Sequence, residues 1–469
     1  RAVELLELTR VGSAGGRVPD ARDALTRLLE LEPGRSAELL AALEAAASRA
    51  AAARSGPATI VEDPGSGAPA RPLAVLFAAW EVPAPDHGGG VLMANLLRTL
   101  GGRHAITLAH AQAPGEEGKL DALRPFLREI VAARREWSPL AADRELGVPE
   151  ELARSRSPGL RRLVAAEAAT GRFDLIDYEY TEMALHATPW GPPAVGALYE
   201  SRFFAEVADG APAGADPDDD ARWLGRLIEA LHFETSIVAE SFGRLLLLTR
   251  EEAERLSPWL PGRTIFVQPI PIDLERFARV ERAPDPAAPR FSFLGNYVHP
   301  PNREAAEWLA TRVAPALAER LPAARWAIAG AAPPAAVRER AHEPGLSVPG
   351  FVDDLEGFLG AATAFVAPLF SGGGMRVKLL EAMAAGCPVI TTRRGLNGIR
   401  AEPGREVLLA ETVEEFVAAA ERLAADPAAA RALGEAGRAA VAREHSLERQ
   451  AVIRERIWSA VAGAGRTGG

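Results

Sequence analysis

The chain has 469 residues, of which 48% are hydrophobic and 25% are charged, and its formal net charge is −10. The apolar fraction is typical of a folded globular protein, and the length predicts two or three domains. The acidic balance argues against a general nucleic-acid binder, which needs a basic surface to displace counterions. The single cysteine, Cys387, excludes the disulfide-stapled secreted class and zinc sites built on several thiolates.

Neither a membrane span nor a signal peptide is predicted. The sequence holds no run of about 18 apolar residues, and the residues after Arg1 lack the charged-then-apolar pattern of a signal peptide. We therefore expect a cytoplasmic protein, and the start at arginine leaves open that the chain is a fragment of a longer one. The arginine-rich stretch 151–172 leaves open a peripheral contact with the anionic inner face of a membrane, although a solvated helical face is favoured.

Residues 1–54 are predicted to form a helical extension. Leucines recur at helical spacing on both sides of Pro33 and Gly34, which is typical of a helical hairpin. The segment resembles a partial tetratricopeptide repeat, which could bind a protein partner, and an unrelated helical tail is an equally open interpretation. Residues 55–71 are rich in Pro, Gly, Ser and Ala and are predicted to be a linker, so the chain before Ala70 should be dispensable for folding of the remainder.

Two α/β domains are predicted to follow, because short apolar runs alternate with helical stretches, a pattern typical of parallel sheets with helices on both faces. In the first domain, at 72–270, strands are expected at 73–80, 105–111, 173–180, 195–200, 244–249 and 264–270. A proline-rich segment at 271–289 is predicted to link it to a second domain at 290–441, with strands at 291–296, 325–331, 346–351, 364–369 and 388–392. A C-terminal helix at 442–463 is expected to pack back on the first domain. The predicted fold class is α/β, with two Rossmann-like domains facing across a cleft that would hold the ligand.

The most informative stretch is SGGGMRVKLLEAMAAGCPVITT, at 371–392. Three glycines, Gly372, Gly373 and Gly374, lie between a predicted strand and a predicted helix, where backbone N–H groups and the helix N-terminus favour an anion. Arg376 and Lys378 add two positive charges, and Lys378 is one of only two lysines in the chain. These features predict a diphosphate cradle, in which both basic residues contact the diphosphate.

A carboxylate completes the predicted nucleotide site. Glu381 lies three residues after Lys378, on nearly the same helical face, and can accept hydrogen bonds from the vicinal hydroxyls of a ribose. Residues two apart on a regular helix point in different directions, so Arg376 and Lys378 can reach one phosphate only if Arg376 precedes the helix. Taken alone, a surface Lys–Glu pair beside a glycine loop is an equally open interpretation.

Several other chemistries are excluded by the absence of their motifs. The turn HGGGVLMANLL is not a dinucleotide-binding G-x-G-x-x-G, and the chain has no P-loop, no H-E-x-x-H and no G-x-S-x-G. Its eight histidines are scattered without metal-ligand spacing. We therefore expect no metal and no cofactor.

The order of these segments from residue 72 to about 460 resembles retaining glycosyltransferases of the GT-B fold, specifically family 4. The strongest similarity is APLFSGGGMRVKLLEAMAAGCPVITT, which resembles the donor-site helix of that family, supported by VQPIPIDLERF and FLGNYVHPPNREAAEWL. The resemblance implies that Glu381 holds the ribose and that Gly295, after the first strand of the second domain, lies in the donor site. In the first domain it implies that Gly89 and Gly90, in the glycine loop, and Glu179, after a central strand, line the acceptor or phosphate side.

The chain departs from the family pattern at four places. Gly373 stands where many members have the first glutamate of a Glu-x7-Glu pair, and Asn397 stands where a glutamate is frequent. Gly295 is not followed by the usual Arg and Lys, and Glu179 replaces a common histidine. We infer from the missing basic pair that Arg376 and Lys378 take over its role.

The sequence therefore predicts a metal-independent, retaining glycosyltransferase of hexosyl type that uses a nucleotide-diphosphate sugar and an acceptor it does not specify. The acceptor could be a glycan, a lipid-linked molecule or a small molecule, and polysaccharide biosynthesis is the expected context. Two alternatives stay open: a nucleotide-sugar epimerase of the same fold, and a module that binds sugar nucleotides without turnover.

Overall fold

The computed structural model describes residues 57–65, 69, 71–84, 88–136, 148–153, 155–209 and 217–464. The helical extension predicted at 1–54 lies outside the described residues. The chain forms two compact units, one made of residues 1–269 with 450–469 and the other of residues 270–449.

The first unit is built on a parallel sheet whose described strands are β1 (Thr59–Val61), β2 (Ala74–Ala79), β3 (Ala105–Gln112), β4 (Glu129–Arg134), β5 (Leu175–Glu179), β6 (Ala194–Leu198), β7 (Arg244–Leu247) and β8 (Thr264–Val267). Their order in the sheet is β1-β8-β7-β6-β5-β2-β3-β4. Strands β2 and β6 are continuous apolar runs, since both faces of a parallel sheet are covered by helices, whereas the central strand β5 also carries Asp177 and Glu179. Phe77, Ile176 and Leu246 are accordingly buried.

The helices of the first unit begin where the sequence supplies helix-starting residues. Ser157 caps the helix Pro158–Ala169 with its side chain, and Pro158 stands at the first helical position. The helices are α1 (Gly88–Leu100), α2 (Glu150–Ala153), α3 (Pro158–Ala169), α4 (Arg202–Asp209), α5 (Pro217–His232), α6 (Ala239–Phe242) and α7 (Arg250–Leu256).

The predicted linker at 55–71 is wrong in part, because its residues 59–61 form β1, an edge strand paired in parallel with β8. The strand could not be recognised from composition, because only the three residues Thr-Ile-Val lie between segments rich in proline and glycine. The backbone N–H groups of Ala58 and Thr59 also donate to Ser257 and Arg263. The segment therefore belongs to the first unit. Strand β4 was also missing from the expected set.

The second unit is built on a six-stranded parallel sheet of β9 (Arg290–Leu294), β10 (Arg325–Ala329), β11 (Leu346–Ser347), β12 (Ala364–Ala367), β13 (Val389–Thr391) and β14 (Leu408–Leu409). The order is β11-β10-β9-β12-β13-β14. All five long strands expected from the sequence are present, β11 being shorter than expected. The α/β fold class with two parallel-sheet, Rossmann-like domains is thus confirmed.

The helices of the second unit carry strong N-terminal signals. Thr412 and Glu415 form a reciprocal capping box at the helix Val413–Ala425, and Asp426 caps the helix that begins at Pro427. The helices are α8 (Leu274–Ala278), α9 (Pro300–Trp308), α10 (Ala314–Arg320), α11 (Ala335–Arg338), α12 (Leu355–Gly360), α13 (Val377–Ala384), α14 (Val413–Ala425) and α15 (Pro427–His445). A π-helical stretch, Leu309–Val313, joins α9 to α10.

The last helix, α16 (Leu447–Ala464), begins later than the predicted residue 442 because Ser446 adopts an extended conformation that ends α15. From Gln450 onward it belongs to the first unit. Arg456 of this helix forms an ion pair with Asp63, at 2.6 Å, beyond the end of β1. None of the helices in the described part of the chain is both long and apolar enough to cross a membrane.

Deleting the edge strand should destabilise the first unit. A chain that starts at Pro72 loses β1 with its ladder and the Glu62–Arg250 and Asp63–Arg456 ion pairs. At about 0.5–1.5 kcal/mol for each lost hydrogen bond, we expect its Tm to fall by several degrees relative to a chain that starts at Pro57. Equal Tm values for the two truncated chains, measured by calorimetry, would show that β1 contributes nothing.

Candidate functional site

The strand order of the second unit locates the candidate site. The order reverses between β9 and β12, which lie side by side with Phe291 opposite Ala364. Ligands of open parallel sheets bind beyond the carboxyl ends of the strands at such a reversal. The segments that leave these ends are the turn at Gly295, after β9, and the glycine turn at 371–375, after β12.

The glycine turn has a backbone conformation that requires glycine. Gly372 has φ +82° and Gly374 has φ +70°, both in the left-handed region that side chains rarely adopt. A Cβ atom on Gly372 would also lie 2.7 Å from Pro301 Cγ, and Gly373 is buried between the two. Gly372 and Gly374 are thus needed to shape this turn.

Arginine side chains hold the turn from inside. Arg376 Nη2 donates to the carbonyl oxygens of Ser371, at 2.9 Å, and Gly372, at 2.8 Å. Arg394 Nε donates to the same Gly372 oxygen at 2.9 Å. These hydrogen bonds from two guanidinium groups fix the conformation of the first residues of the turn, which is called the braced glycine turn below.

Arg376 lies immediately before α13, as the residue that precedes its first helical position, Val377. The geometric condition for Arg376 and Lys378 to act together is therefore met. The side chain of Arg376 does not cap the helix, and the first turn contains no acidic residue. The N-terminus of α13 thus keeps its partial positive charge for an incoming anion.

Lys378 is partly buried beneath the turn. Its Nζ donates to Oδ1 of Asn302 and lies 5.5 Å from the centre of the Phe293 ring. Burial lowers the pKa of Lys378 to about 7, and the charge of Arg376 acts in the same direction. Among the described residues no carboxylate forms an ion pair with it. The ammonium group is therefore held ready for an anion rather than neutralised.

Glu381 lies one turn further along the same face of α13. Burial raises the pKa of Glu381 to about 7, while the charges of Arg276 and Lys378 oppose the shift. Arg276, on α8, is itself paired with Glu356 on α12. Glu381 therefore has positive charge nearby without a direct ion pair among the residues described, which leaves its carboxylate oxygens available to hydroxyl donors.

Gly295 lies at the edge of the site, where the neighbouring residues leave no room for a side chain. A Cβ atom on Gly295 would lie 2.9 Å from Asn302 Cβ. The nearby Gly330, with φ +144°, would place a Cβ atom 1.9 Å from the Gly295 oxygen. The backbone after β9 therefore passes close to both Asn302 and the end of β10.

Sequence reasoning missed Asn302, which orients Lys378. Its Nδ2 donates to the Asn296 oxygen at 2.8 Å, which turns Oδ1 toward the ammonium group. Arg276 and Arg394 were also missed, because their roles depend on folded contacts across the unit. The signal for Asn302 was its place in the first turn of α9, behind Pro300 and Pro301, in the segment that lacks the usual basic pair.

In the first unit, the order of strands reverses between β2 and β5. Gly89 and Gly90 lie in the first turn of α1. A Cβ atom on Gly89 would lie 1.9 Å from Tyr180 Oη, so the tyrosine after β5 packs against the glycine backbone. Tyr180 itself has φ +83°, a strained conformation for a residue with a side chain.

Glu179, which the resemblance places on the acceptor or phosphate side, is fully buried. It accepts hydrogen bonds from Arg454, on α16, and from the Tyr199 hydroxyl. Arg454 also binds Asp177 at 2.6 Å, and Trp458 donates to Asp177 at 2.6 Å. Burial raises the pKa of Glu179, opposed by the charge of Arg454. Glu179 thus anchors the last helix to the sheet of the first unit.

Within the second unit, the arrangement suits a nucleoside diphosphate. A braced glycine turn, a helix N-terminus and Lys378 meet at one edge of the sheet, with Glu381 one helical turn away. The turn, the helix N-terminus and Lys378 suit the oxygens of a diphosphate, and Glu381 suits the hydroxyls of a ribose. No group of three or more residues suited to hold a metal ion occurs among the residues that the structure describes.

Comparison with known proteins agrees with this reading of the second unit. Residues 288–426 match the family model described as glycosyl transferases group 1. The match spans β9 to α14 and includes the whole candidate site. No curated protein sequence is significantly similar to the chain.

Solved structures with the same fold cover both units. Sucrose-phosphate synthase from Thermosynechococcus elongatus is 19% identical, with a TM-score of 0.64, over 83% of this chain and 99% of that one. HepE from Anabaena in complex with UDP is 12% identical, with a TM-score of 0.57, over 83% of this chain and 100% of that one. A variant of S. aureus TarM in complex with fondaparinux, alpha-GlcNAc-glycerol and UDP is 9% identical, with a TM-score of 0.59, over 83% and 100%. These similarities confirm the GT-B architecture.

The two buried charges of α13 should lower the stability of the free protein. The pKa of Lys378 is lowered on folding. The loss of folding stability caused by burying its charge is therefore complete below pH 7 and disappears as the pH approaches 10.5. The pKa of Glu381 is raised on folding. The loss of folding stability caused by burying its charge is therefore absent below pH 4.5 and complete above pH 7. After allowance for partial exposure we expect about 1 kcal/mol each, or 2–4 °C in Tm.

We therefore expect Lys378→Met to raise Tm at pH 6 and to lose this advantage toward pH 10, and Glu381→Gln to raise Tm at pH 8 but not at pH 4.5. Lys119→Met, at the chain's other lysine, and Glu435→Gln, at an exposed glutamate, are the matched controls. Lower Tm values for both site variants at every pH would contradict the stated burial of these charges.

Proposed function

We propose that the protein is a retaining, metal-independent glycosyltransferase that transfers a hexosyl group from a nucleotide-diphosphate sugar to an acceptor. The observation that carries the proposal is the juxtaposition of the braced glycine turn, Lys378 and Glu381 at the strand reversal of the second unit. The group 1 family match covers this same region. HepE and TarM, which share the fold, have been crystallised with UDP, and HepE also with UDP-glucose.

The chemistry requires positive charge where the diphosphate leaves. As the bond between the sugar and the diphosphate breaks, negative charge accumulates on the leaving oxygen. Lys378 and the N-terminal N–H groups of α13 stabilise this charge, and Arg376 keeps the turn in shape through the Ser371 and Gly372 carbonyls. Binding a diphosphate would raise the lowered pKa of Lys378 and keep it protonated through the reaction.

The remaining parts of the proposal come from the resemblance. Retention of anomeric configuration implies that the acceptor attacks from the face the diphosphate leaves, and the leaving phosphate assists. Gly373, in place of a glutamate, removes one carboxylate contact to the sugar. We propose accordingly that Lys378 and the turn amides, rather than a carboxylate, carry most of the interaction near the sugar-bearing phosphate.

Nucleotide selection and turnover test the proposal. UDP, GDP and ADP are first compared by thermal shift, because a ligand at 100 times its Kd adds about 2.7 kcal/mol of stability. The sugar nucleotide of the preferred base is then incubated with an acceptor panel in EDTA. We expect a glycoside product, with Lys378→Met at least tenfold slower at saturating donor and Lys119→Met unchanged.

Three outcomes would overturn parts of the proposal. Activity lost in EDTA and restored by manganese or magnesium would contradict metal independence. An isomerised sugar nucleotide without glycoside would indicate an epimerase. Binding without either product across the panel would indicate a non-catalytic module.

Glu381→Gln should weaken nucleotide binding without unfolding the protein. The carboxylate is proposed to accept from both ribose hydroxyls, whereas the amide has a single acceptor oxygen. Charged hydrogen bonds contribute about 1.5–3 kcal/mol each, so we expect at least tenfold weaker UDP or GDP binding by calorimetry. Glu435→Gln should bind as the wild type does. An unchanged Kd in Glu381→Gln would show that the ribose lies elsewhere.

A further inference from the structure

An ion pair between two other helices of the second unit lies near Glu381. Arg276, on α8, donates from Nη2 to Oε2 of Glu356, on α12, at 3.2 Å, and from Nε to Oε1 of the same carboxylate. Helix α8 is the first helix of the second unit, and α12 follows β11. The pair therefore joins two helices that contribute nothing to the braced glycine turn.

Arg438, on α15, holds α8 against α13. Its Nε donates to the Ala384 carbonyl oxygen at 2.9 Å, and its Nη2 donates to the Phe277 carbonyl oxygen at 3.3 Å. Phe277 directly follows Arg276, and Ala384 lies three positions after Glu381, on the same helical face. A single guanidinium thus keeps the backbone of α8 beside the part of α13 that carries Glu381.

The two charges of the ion pair act on Glu381 with opposite signs. Burial raises the pKa of Glu381, and the positive charge of Arg276 is the largest effect that opposes this shift, ahead of Lys378. The negative charge of Glu356 adds to the shift. Among the described residues of the helices packed against α13, these two supply the charges that act on Glu381. The Arg438 guanidinium is bound to carbonyl oxygens, one of them at the end of α13.

We propose that Arg276 is a positioning residue for nucleotide binding: it keeps Glu381 in the ionised form that accepts from the ribose hydroxyls, and Glu356 moderates this effect. The inference rests on the proposed ribose-binding role of Glu381. An ionised carboxylate can accept from both hydroxyls at once, whereas protonation turns one of its oxygens into a donor. The charges on α8 and α12 thus determine what fraction of the protein binds the ribose tightly near neutral pH.

The ribose hydroxyls provide the readout. The Kd values of UDP and 2′,3′-dideoxy-UDP, or of the corresponding GDP or ADP pair if thermal shift selects another base, are measured by calorimetry between pH 5.5 and pH 9. Titration of Lys378 and of the phosphate affects both ligands and cancels in the ratio of the two Kd values. We expect the dideoxy analogue to bind about tenfold more weakly at pH 9. This ratio should fall below pH 7, because Glu381 becomes protonated.

Arg276→Gln and Glu356→Gln break the same ion pair but should have opposite effects. Loss of the positive charge raises the pKa of Glu381, so the midpoint of the ratio should move up by about one pH unit, with a loss of about threefold at pH 7 and recovery at pH 9. Loss of the negative charge should move the midpoint down.

Two further variants are the controls. Arg276→Lys keeps the charge and should keep the wild-type midpoint. Arg320→Gln breaks a comparable interhelical pair, between Arg320 on α10 and Glu421 on α14, and should also leave the midpoint unchanged.

The outcomes separate this inference from the proposed function. A midpoint that moves in the same direction in Arg276→Gln and Glu356→Gln would show that the pair is a structural tie between helices. An unmoved midpoint in Arg276→Gln would show that Glu381 is independent of it. Each of these results overturns the inference alone. Equal Kd values for UDP and its dideoxy analogue at every pH in the wild type would instead overturn the placement of the ribose at Glu381, and this inference with it.

Discussion

The candidate site depends on keeping a lysine charged in a place that disfavours charge. Lys378 lies over the Phe293 ring with the Asn302 amide as its neutral partner, and burial pulls its pKa down to about 7. A carboxylate in contact would make the lysine stable but would occupy the position that a phosphate needs. The surrounding backbone is arranged to tolerate the unneutralised charge, since Asn302 is fixed by the Asn296 carbonyl.

The two basic residues at the start of α13 make different contacts. From the sequence, both Arg376 and Lys378 were predicted to act on the diphosphate. In the structure, Arg376 donates to two carbonyls of the turn that it follows, whereas Lys378 reaches back to α9. Arginine suits the first task because its planar fork can bind more than one carbonyl, and lysine suits the second because its ammonium is a compact point charge on a flexible stem.

The fold followed from the sequence wherever a strand was a continuous apolar run, as in β2 or β12, because parallel strands are buried on both faces. Two strands were missed because the sequence carries no apolar run for them and only their pairing with a neighbouring strand identifies them. Strand β1 has three residues between turn-forming flanks, and β4 alternates between exposed and partly buried residues. The end of α15 was misplaced because Ser446 does not break a helix by its identity. Its extended backbone accompanies a bridge to Ile272, a contact that is distant in sequence.

The site divides in the same way. Gly372, Gly374 and Glu381 could be found because a turn, a helix N-terminus and a helical face are local features. The pairing of Glu179 could not be predicted, because its partner Arg454 comes from a helix 275 residues later in the chain. A carboxylate at the end of a central strand is equally suited to binding a ligand or to pairing with a buried arginine. Only the position of α16 decides between them: Arg454 pairs with both Asp177 and Glu179, which holds Glu179 inside the first unit, whereas Glu381 of the second unit has no direct ion pair among the described residues.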